Sequence, residues 1–174
     1  QSHLEVLTTF EDVALIALAN RGEERRTAVM EKYGVPRGYD DFRRMIDKEA
    51  LDCALVLVSI ENTVEVASYC LRNGLPVLIE KPPGLKAAET RRLIQDADVG
   101  GSIHMVGLNR RFYSNLRSGL ELIRERGPIV SMVVEAPELF ERIKDSGKYP
   151  AGILARWLFA NGIHCLDFLP FIGG

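Results

Sequence analysis

The chain has 174 residues, of which 47% are hydrophobic, and its 22 basic residues nearly balance 24 acidic residues, for a formal net charge of -2. A chain of this length and composition can bury a hydrophobic core as an ordinary globular protein. Because the charges are interspersed, there is no broad basic surface for nucleic acid or for an anionic membrane, and we expect neither partner.

The cysteines and the ends of the chain bear on its compartment. Cys53, Cys70 and Cys165 are widely spaced among apolar residues, which is typical of reduced core cysteines in a cytosolic protein. No apolar run approaches the roughly 20 residues of a membrane span, and the start lacks signal-peptide features. We expect a cytoplasmic protein without a disulfide or a metal site. The start inside a helical stretch without Met, and the end directly after an apolar helix, predict truncation at both ends.

The first part of the chain alternates short apolar runs with helical stretches. Residues 13–19 and 52–59 are predicted as strands because they are aliphatic, continuous and too short for typical helices. Further strands are predicted over residues 76–79 and 104–108, and helices over 3–7, 23–33, 41–48, 64–72 and 86–97. Gly34 and Gly74 are predicted helix stops. A repeat of about 25 residues predicts βαβ units in an α/β fold with a parallel, doubly wound sheet.

The pattern changes after Arg110. A helix is predicted over residues 116–126, a β-rich run over 129–135, a polar loop over 137–150 and a helical stretch over 151–171. We therefore predict a domain boundary near residues 109 to 115. Residues 1–110 would form the doubly wound domain, and residues 111–174 would begin a second, α+β domain.

Polar residues follow each predicted strand. In doubly wound sheets the ligand crevice lies beyond the carboxyl ends of the strands, so these residues are the first candidates for a site. The four clusters are Asn20-Arg21, Ser59-Ile60-Glu61-Asn62, Glu80-Lys81-Pro82 and Asn109-Arg110-Arg111.

Lys81 and His164 are the residues best suited to chemistry. Lys81 stands at a strand end, where the following prolines restrict the backbone, and a held ammonium can polarise a hydroxyl or move a proton. The alternative is a solvated lysine in a proline-rich turn. A histidine titrates near neutral pH and suits acid/base work. By itself, however, a histidine on an apolar helix such as His164 is more often a hydrogen-bonded core residue, with Asp167 on the same helix face as its partner.

Three motifs in this order resemble the glucose-fructose oxidoreductase and inositol dehydrogenase family (Gfo/Idh/MocA). They are Glu80-Lys81-Pro82, Gly107-Leu108-Asn109-Arg110-Arg111-Phe112 and Gly162-Ile163-His164-Cys165-Leu166-Asp167. The resemblance runs from Leu4 to the end of the chain. It implies a Rossmann domain that binds NAD or NADP, a second domain that holds the substrate and often the oligomer interface, and hydride transfer. By position, Lys81 is the lysine of the family's Glu-Lys-Pro motif and His164 is its proton-transferring histidine.

The candidate site residues follow from these two arguments. Asn20 brings no carboxylate to the ribose position, and Arg21, with Arg25, is placed to hold a phosphate, so NADP is slightly favoured over NAD. The candidate cofactor-binding residues are Asn20, Arg21, Ser59, Glu61, Glu80, Lys81, Pro82 and Asn109. The candidate substrate-binding residues are Lys81, Arg110, Arg111, Asn161 and His164. One arginine of the pair is interpreted as a ligand contact and the other as a structural ion pair.

The sequence departs from the family in three places. Ala160 stands where the family has an acidic residue one helical turn before the histidine, with Asn161 or Asp167 as possible substitutes. Ser59-Ile60-Glu61-Asn62-Thr63 replaces the family's Thr-Pro-Asn stretch, and Leu154-Ala155-Arg156-Trp157 replaces a glycine-rich run. The first strand and the glycine-rich phosphate turn are absent from the 174 residues, so we expect this piece by itself to bind nucleotide poorly and to be inactive.

Three functions are compatible with these residues. The first is an NAD(P)-dependent dehydrogenase or reductase of a sugar, a cyclitol or a related polyol, and its full-length form is expected to be a homo-oligomer. The second is a regulatory protein that senses nucleotide or sugar without chemistry, which Ala160 favours. The third is a glycosidase that uses NAD in a transient oxidation, which ranks last because no paired carboxylates stand out.

Overall fold

The computed structural model describes residues 3–174 and divides them into two compact units, of which the first ends at Ala54 and the second runs from Leu55 to Gly174. Within the described residues the strands are β1 Ala17–Ala19, β2 Arg37–Tyr39, β3 Ala54–Val56, β4 Val77–Ile79 and β5 His104–Val106. The helices there are α1 His3–Leu7, α2 Glu23–Tyr33, α3 Phe42–Lys48, α4 Ile60–Arg72, α5 Ala87–Gly100, α6 Ser114–Arg124, α7 Phe140–Asp145, α8 Ala151–Leu154, α9 Trp157–Ala160 and α10 Ile163–Gly173. A 3-10 helix covers Asn109–Phe112.

The first unit contains a parallel pair of strands. β1 and β2 pair in register from Ala17 opposite Arg37 to Ala19 opposite Tyr39. The predicted strand over residues 13–19 is therefore shorter than expected, because only its last three residues have a ladder partner. β2 was not predicted, since Arg37-Gly38-Tyr39 has no apolar run to signal a buried strand.

The helices of the first unit begin and end where local signals place them. α2 stops at Gly34, which adopts a left-handed φ of 66° and donates its N–H to the carbonyl of Met30. α3 starts after Asp41, whose carboxylate accepts from the backbone N–H of Arg43 at 2.7 Å.

The second unit is built on a three-stranded sheet in the order β3-β4-β5. β4 and β5 are parallel, with Val77 opposite His104 and Ile79 opposite Val106. This arrangement confirms the predicted Rossmann-type α/β class. Its core is formed by apolar side chains of the sheet and of α4 and α5, namely Val56, Ala67, Cys70, Leu71, Val77, Ile79, Leu93 and Ala97.

α4 and α5 are joined by a buried polar contact as well as by apolar packing. Asp96 is buried, and its carboxylate accepts from the Ser68 hydroxyl at 2.5 Å and pairs with Arg72 and Arg92. Burial among these helices raises the pKa of the Cys70 thiol to about 11, so Cys70 is neutral and unreactive. Cys53, in contrast, is exposed, because it precedes β3 at the end of the sheet. The expectation of a core cysteine was wrong there.

The last third of the chain differs most from expectation. The β-rich run over residues 129–135 pairs with no strand among the described residues, and Val130 is 95% exposed. A β-rich sequence becomes a strand only where a neighbour supplies hydrogen bonds. The predicted polar loop contains α7, and the predicted helix over residues 151–171 is three helices. Its last break falls at Gly162, where an added Cβ would lie 2.8 Å from the Leu158 carbonyl oxygen. The predicted domain boundary after residue 110 stays a prediction.

Candidate functional site

The carboxyl ends of the three strands in the second unit lie side by side. The backbone N–H of Glu80 donates to the carbonyl of Val56 at 3.0 Å, and that of Gly107 donates to Ile79 at 2.8 Å. An added Cβ on Gly107 would lie 3.1 Å from a carboxylate oxygen of Glu80, which is a tight contact. The sheet therefore brings the residues that follow β3, β4 and β5 to one edge.

Several predicted cofactor-binding residues lie on this edge. Ser59 is the N-cap residue of α4, and Glu61 is exposed in its first turn. The helix therefore begins at Ile60, before the predicted start at residue 64, and the side chains of Asn62 and Thr63 bond back to Ser59. Asn109 is exposed at the start of the 3-10 helix, whereas Pro82 is fully buried after β4.

Lys81 is held by atoms from the loop between α9 and α10. Its ammonium donates to the Ala160 carbonyl at 3.3 Å and to the Oδ1 atom of Asn161 at 3.1 Å. Partial burial lowers its pKa, and the charge of Arg110 lowers it further, while Glu80 and Glu138 act in the opposite direction. Lys81 is thus a positioned, partly desolvated cation and not a solvated turn residue.

Asn161 is fixed by a carboxylate that sequence reasoning missed. Its Nδ2 atom donates to Oε1 of Glu138 at 2.7 Å, and the indole N–H of Trp157 donates to the second oxygen of Glu138. Glu138 lies in the stretch read as a polar loop, where a single acidic residue gives no local signal. The one available signal was Ala160, whose missing carboxylate raises the question of where a replacement lies.

His164 is buried near the start of α10. The residue is 5% exposed. Its Nδ1 atom is buried and has no hydrogen-bond partner among residues 3–174. Burial lowers the pKa of His164, and the charges of Arg110 and then Lys81 lower it further. The imidazole is therefore neutral at pH 7, with a nitrogen left to exchange a proton.

Asp167 does not pair with His164. It forms a two-pronged ion pair with Arg111, in which Nε of Arg111 lies 2.6 Å from Oδ2 and Nη2 contacts Oδ1. The Arg111 guanidinium also stacks over Phe171, 5.0 Å from the ring centre. The interpretation of Asp167 as the hydrogen-bond partner of His164 was wrong, because its carboxylate binds the charged guanidinium of Arg111, which is a stronger donor.

Arg110 remains available for a ligand. It forms no ion pair with any described residue, its contact to the Cys165 sulfur is long at 3.9 Å, and its charge acts on both Lys81 and His164. It lines a cavity of about 370 Å³ together with Tyr113 and Phe168.

The candidate phosphate residues lie in the first unit. Asn20 accepts from the Gly22 N–H at 2.9 Å, and its carbonyl accepts from Arg26 at 2.8 Å, so Arg26 stabilises this turn. Arg21 and Arg25 are exposed, and neither has a side-chain partner among residues 3–174. They are available to an anionic group.

None of the helices in residues 3–174 has the length and apolarity needed to cross a bilayer. The described part of the chain also holds no group of three or more His, Cys, Asp or Glu side chains arranged to bind a metal ion.

Similarity to known proteins agrees with this geometry. Residues 1–108 match the family model described as "Oxidoreductase family, NAD-binding Rossmann fold", Gfo/Idh/MocA. Myo-inositol 2-dehydrogenase of Thermotoga maritima is 32% identical over 127 residues, which are 73% of this chain and 38% of that protein. Trans-1,2-dihydrobenzene-1,2-diol dehydrogenase of Mus musculus is 25% identical over 166 residues, which are 92% of this chain and 48% of that protein. The chain thus spans less than half the length of these curated relatives.

The fold is also that of solved members. The crystal structure of myo-inositol 2-dehydrogenase from Lactobacillus plantarum superposes with a TM-score of 0.82 at 21% identity, over 98% of this chain and 52% of that one. Together with the match over residues 1–108, this shows that the chain belongs to the Gfo/Idh/MocA family of oxidoreductases with an NAD-binding Rossmann fold.

Proposed function

We propose that the intact protein is an NAD(P)-dependent oxidoreductase that transfers a hydride to or from a carbinol carbon of a sugar, a cyclitol or a related polyol. The observation that carries the proposal is that Lys81 is bonded to the residues just before His164 and acts on the imidazole by its charge.

The two groups suit complementary roles. An ammonium has three N–H donors, and the described partners of Lys81 use two, which leaves one for a substrate oxygen. His164 is neutral at pH 7 because burial and two neighbouring cations lower its pKa, so it can accept the hydroxyl proton. In the oxidative direction the carbon gives up its hydride and the hydroxyl gives its proton to His164, while Lys81 stabilises the developing negative charge on oxygen.

The residues of this chain fit a dinucleotide. Ser59, Glu80 and Asn109 follow three adjacent strands, which is where doubly wound folds bind nucleotides, and the unpartnered Nδ1 of buried His164 fits a polar ligand atom. When bound, the nicotinamide supplies the hydride acceptor or donor. In the first unit, exposed Arg21 and Arg25 support NADP over NAD, because a 2′-phosphate needs a cation and a carboxylate would repel it.

The test is turnover in the intact protein with NAD and NADP against a panel of sugars, cyclitols and other polyols. Lys81→Met and His164→Asn are each expected to reduce kcat by about 100-fold or more, the size of effect typical of acid/base groups. Lys148→Met, a change at a lysine that lies outside the site, serves as the matched control. Wild-type turnover in both site variants would overturn the proposal.

A second candidate is a nucleotide- or sugar-sensing regulator on the same fold. Ala160 favours it, because this buried residue offers Lys81 only a backbone carbonyl where the family has a carboxylate. Tight cofactor binding without reduction or oxidation of any panel substrate would support this role. We also retain a cytoplasmic location and a homo-oligomeric full-length form as proposals, and neither affects the chemistry above.

A further inference from the structure

The environment of Lys81 contains a carboxylate that comes from outside the motifs. Ala160 provides a carbonyl and Asn161 an amide oxygen, and both are neutral acceptors. The next atoms outward belong to Glu138, which lies 23 residues before Asn161 in sequence and accepts a hydrogen bond from its Nδ2 atom at 2.7 Å. The order of contacts is therefore ammonium, amide, carboxylate.

The carboxylate determines which way the Asn161 amide faces. An asparagine side chain can present either its oxygen or its NH₂ group in nearly the same place. The Glu138 carboxylate only accepts hydrogen bonds, so it binds the NH₂ group and leaves the oxygen toward Lys81. The reversed amide would point N–H groups at an ammonium, which is repulsive.

Glu138 is itself anchored. Its second oxygen accepts from the indole N–H of Trp157, and the Trp157 ring contacts Tyr149 edge to face with ring centres 4.9 Å apart. Trp157 begins α9, whose last residue, Ala160, also binds Lys81. An exposed glutamate with two directed partners is more ordered than a solvated one.

We propose that Glu138 is a positioning residue for the reaction, which holds the Asn161 amide with its oxygen toward Lys81 and replaces the carboxylate that Ala160 lacks. The expected effect of Glu138 on turnover rests on the proposed function. The contacts from Trp157 through Glu138 and Asn161 to Lys81 do not depend on that function.

Other charged groups around Lys81 do not take this role. Asp167 is committed to Arg111, and Arg110 and His164 are basic. Glu80 acts on Lys81 by its charge, and the carboxylate that accepts from the Asn161 amide is that of Glu138. Of these groups, Glu138 has both a charge effect on Lys81 and a bond to the residue that holds it.

The test measures Lys81 directly in the intact protein. Acylation of Lys81 by an amine reagent, followed over pH by peptide mass spectrometry, gives a midpoint that reports its protonation, independent of catalysis. Glu138→Gln removes a charge that favours the ammonium and leaves one acceptor oxygen where Asn161 and Trp157 now use two, so the midpoint should fall and the labelling rate at neutral pH should rise about threefold. Glu135→Gln, an exposed glutamate three residues earlier with no described partner, should leave both unchanged.

A second variant tests the orientation mechanism. Asn161→Asp places a carboxylate directly at Lys81, where rotation still presents an oxygen, so adding it to Glu138→Gln should restore the midpoint to the wild-type value or above. In turnover, Glu138→Gln should lower kcat about tenfold with little change in KM for the cofactor, and the double change should recover most of this loss.

The outcomes separate the two proposals. An unchanged midpoint in Glu138→Gln, with native circular dichroism, would overturn the positioning role whatever the enzyme does. A shifted midpoint together with full activity in Lys81→Met would uphold the contact chain and overturn the proposed function.

Discussion

The Lys81 ammonium donates a hydrogen bond to the side-chain oxygen of Asn161, a residue 80 positions later in the chain, at 3.1 Å. The contact joins the end of β4 to the loop before α10. It therefore connects the two motifs, Glu80-Lys81-Pro82 and Gly162-Ile163-His164, that carry the proposed chemistry.

Asn161→Ala tests this contact. It removes one of the two described acceptors of a partly buried ammonium, which costs about 1.5–3 kcal/mol, the range for hydrogen bonds to charged groups. If the bond is made in the transition state, kcat should fall by about 10- to 100-fold. Asn73→Ala, at the exposed end of α4, is the matched control, and an equal loss in both variants would contradict the assignment.

The ion pair between Arg111 and Asp167 should respond unequally to removal of its two partners. The Asp167 side chain is 7% exposed and that of Arg111 is 35% exposed. Arg111→Met leaves a buried, uncompensated carboxylate and should cost about 3–5 kcal/mol of unfolding free energy. Asp167→Asn leaves a cation that water can reach, and should cost about 1–3 kcal/mol.

Urea denaturation measures both losses, and the double variant completes the cycle. The double variant should lose less than the sum of the single losses, because the stranded charge is gone. Equal costs for the two single changes would mean that the buried carboxylate does not dominate this contact.

The lowered pKa of His164 predicts acid sensitivity of the fold. The unfolded side chain titrates at its ordinary value of 6.5, and burial places the folded value below that. Between the two pKa values the unfolded chain binds a proton and the folded chain does not. The free energy of unfolding therefore falls as pH decreases through this window. The contribution of the neutral His164 imidazole to the free energy of unfolding is complete above pH 6.5.

His164→Gln removes this titration. The unfolding free energy of the variant should depend less on pH than that of the wild type below pH 6.5, and the two slopes should agree above it. Denaturant titrations on both sides of that pH measure the slopes. A steeper acid loss in the variant would show that the folded imidazole is preferentially protonated.

Gly100 and Gly119 form a matched pair of helical glycines with opposite expectations. A Cβ on Gly100, at the end of α5, would collide with the carbonyl oxygen of Leu71 in α4, so Gly100→Ala should destabilise by about 1–3 kcal/mol. Gly119 in α6 has open space, and Gly119→Ala should stabilise by up to about 1 kcal/mol because alanine is the better helix former. Melting temperatures that move in the same direction would contradict this packing.

Local signals predicted much of the fold. The end of α2 at Gly34 could be predicted, because a helix end with left-handed backbone requires a residue that tolerates this conformation. Strand β2 was not readable, because Arg37-Gly38-Tyr39 becomes a strand only beside β1. The breaks within residues 151–171 likewise depend on close packing at Gly162, which hydrophobic periodicity does not report.

The sequence predicted the motifs of the site, but not the hydrogen bonds and ion pairs between its residues. Lys81 and His164 stood out from residue type and position. The partner of Asp167 and the role of Glu138 depend on residues 56 and 23 positions away, and no local pattern encodes such contacts. Asn161, predicted as a substitute for the carboxylate missing at Ala160, accepts a hydrogen bond from Lys81 in the structure.

The proposed reaction is hydride transfer at a carbinol carbon, with Lys81 and His164 acting on the oxygen. The most direct measurement is transfer of deuterium from a polyol, labelled on the carbinol carbon, to the nicotinamide of NAD or NADP, followed by mass spectrometry of the cofactor in the intact protein. We expect deuterated reduced cofactor in the wild type, and a loss of about 100-fold or more in its rate of formation in Lys81→Met and His164→Asn. Cofactor that binds but never acquires deuterium from any member of the panel, or label that accumulates equally well in both variants, would contradict it.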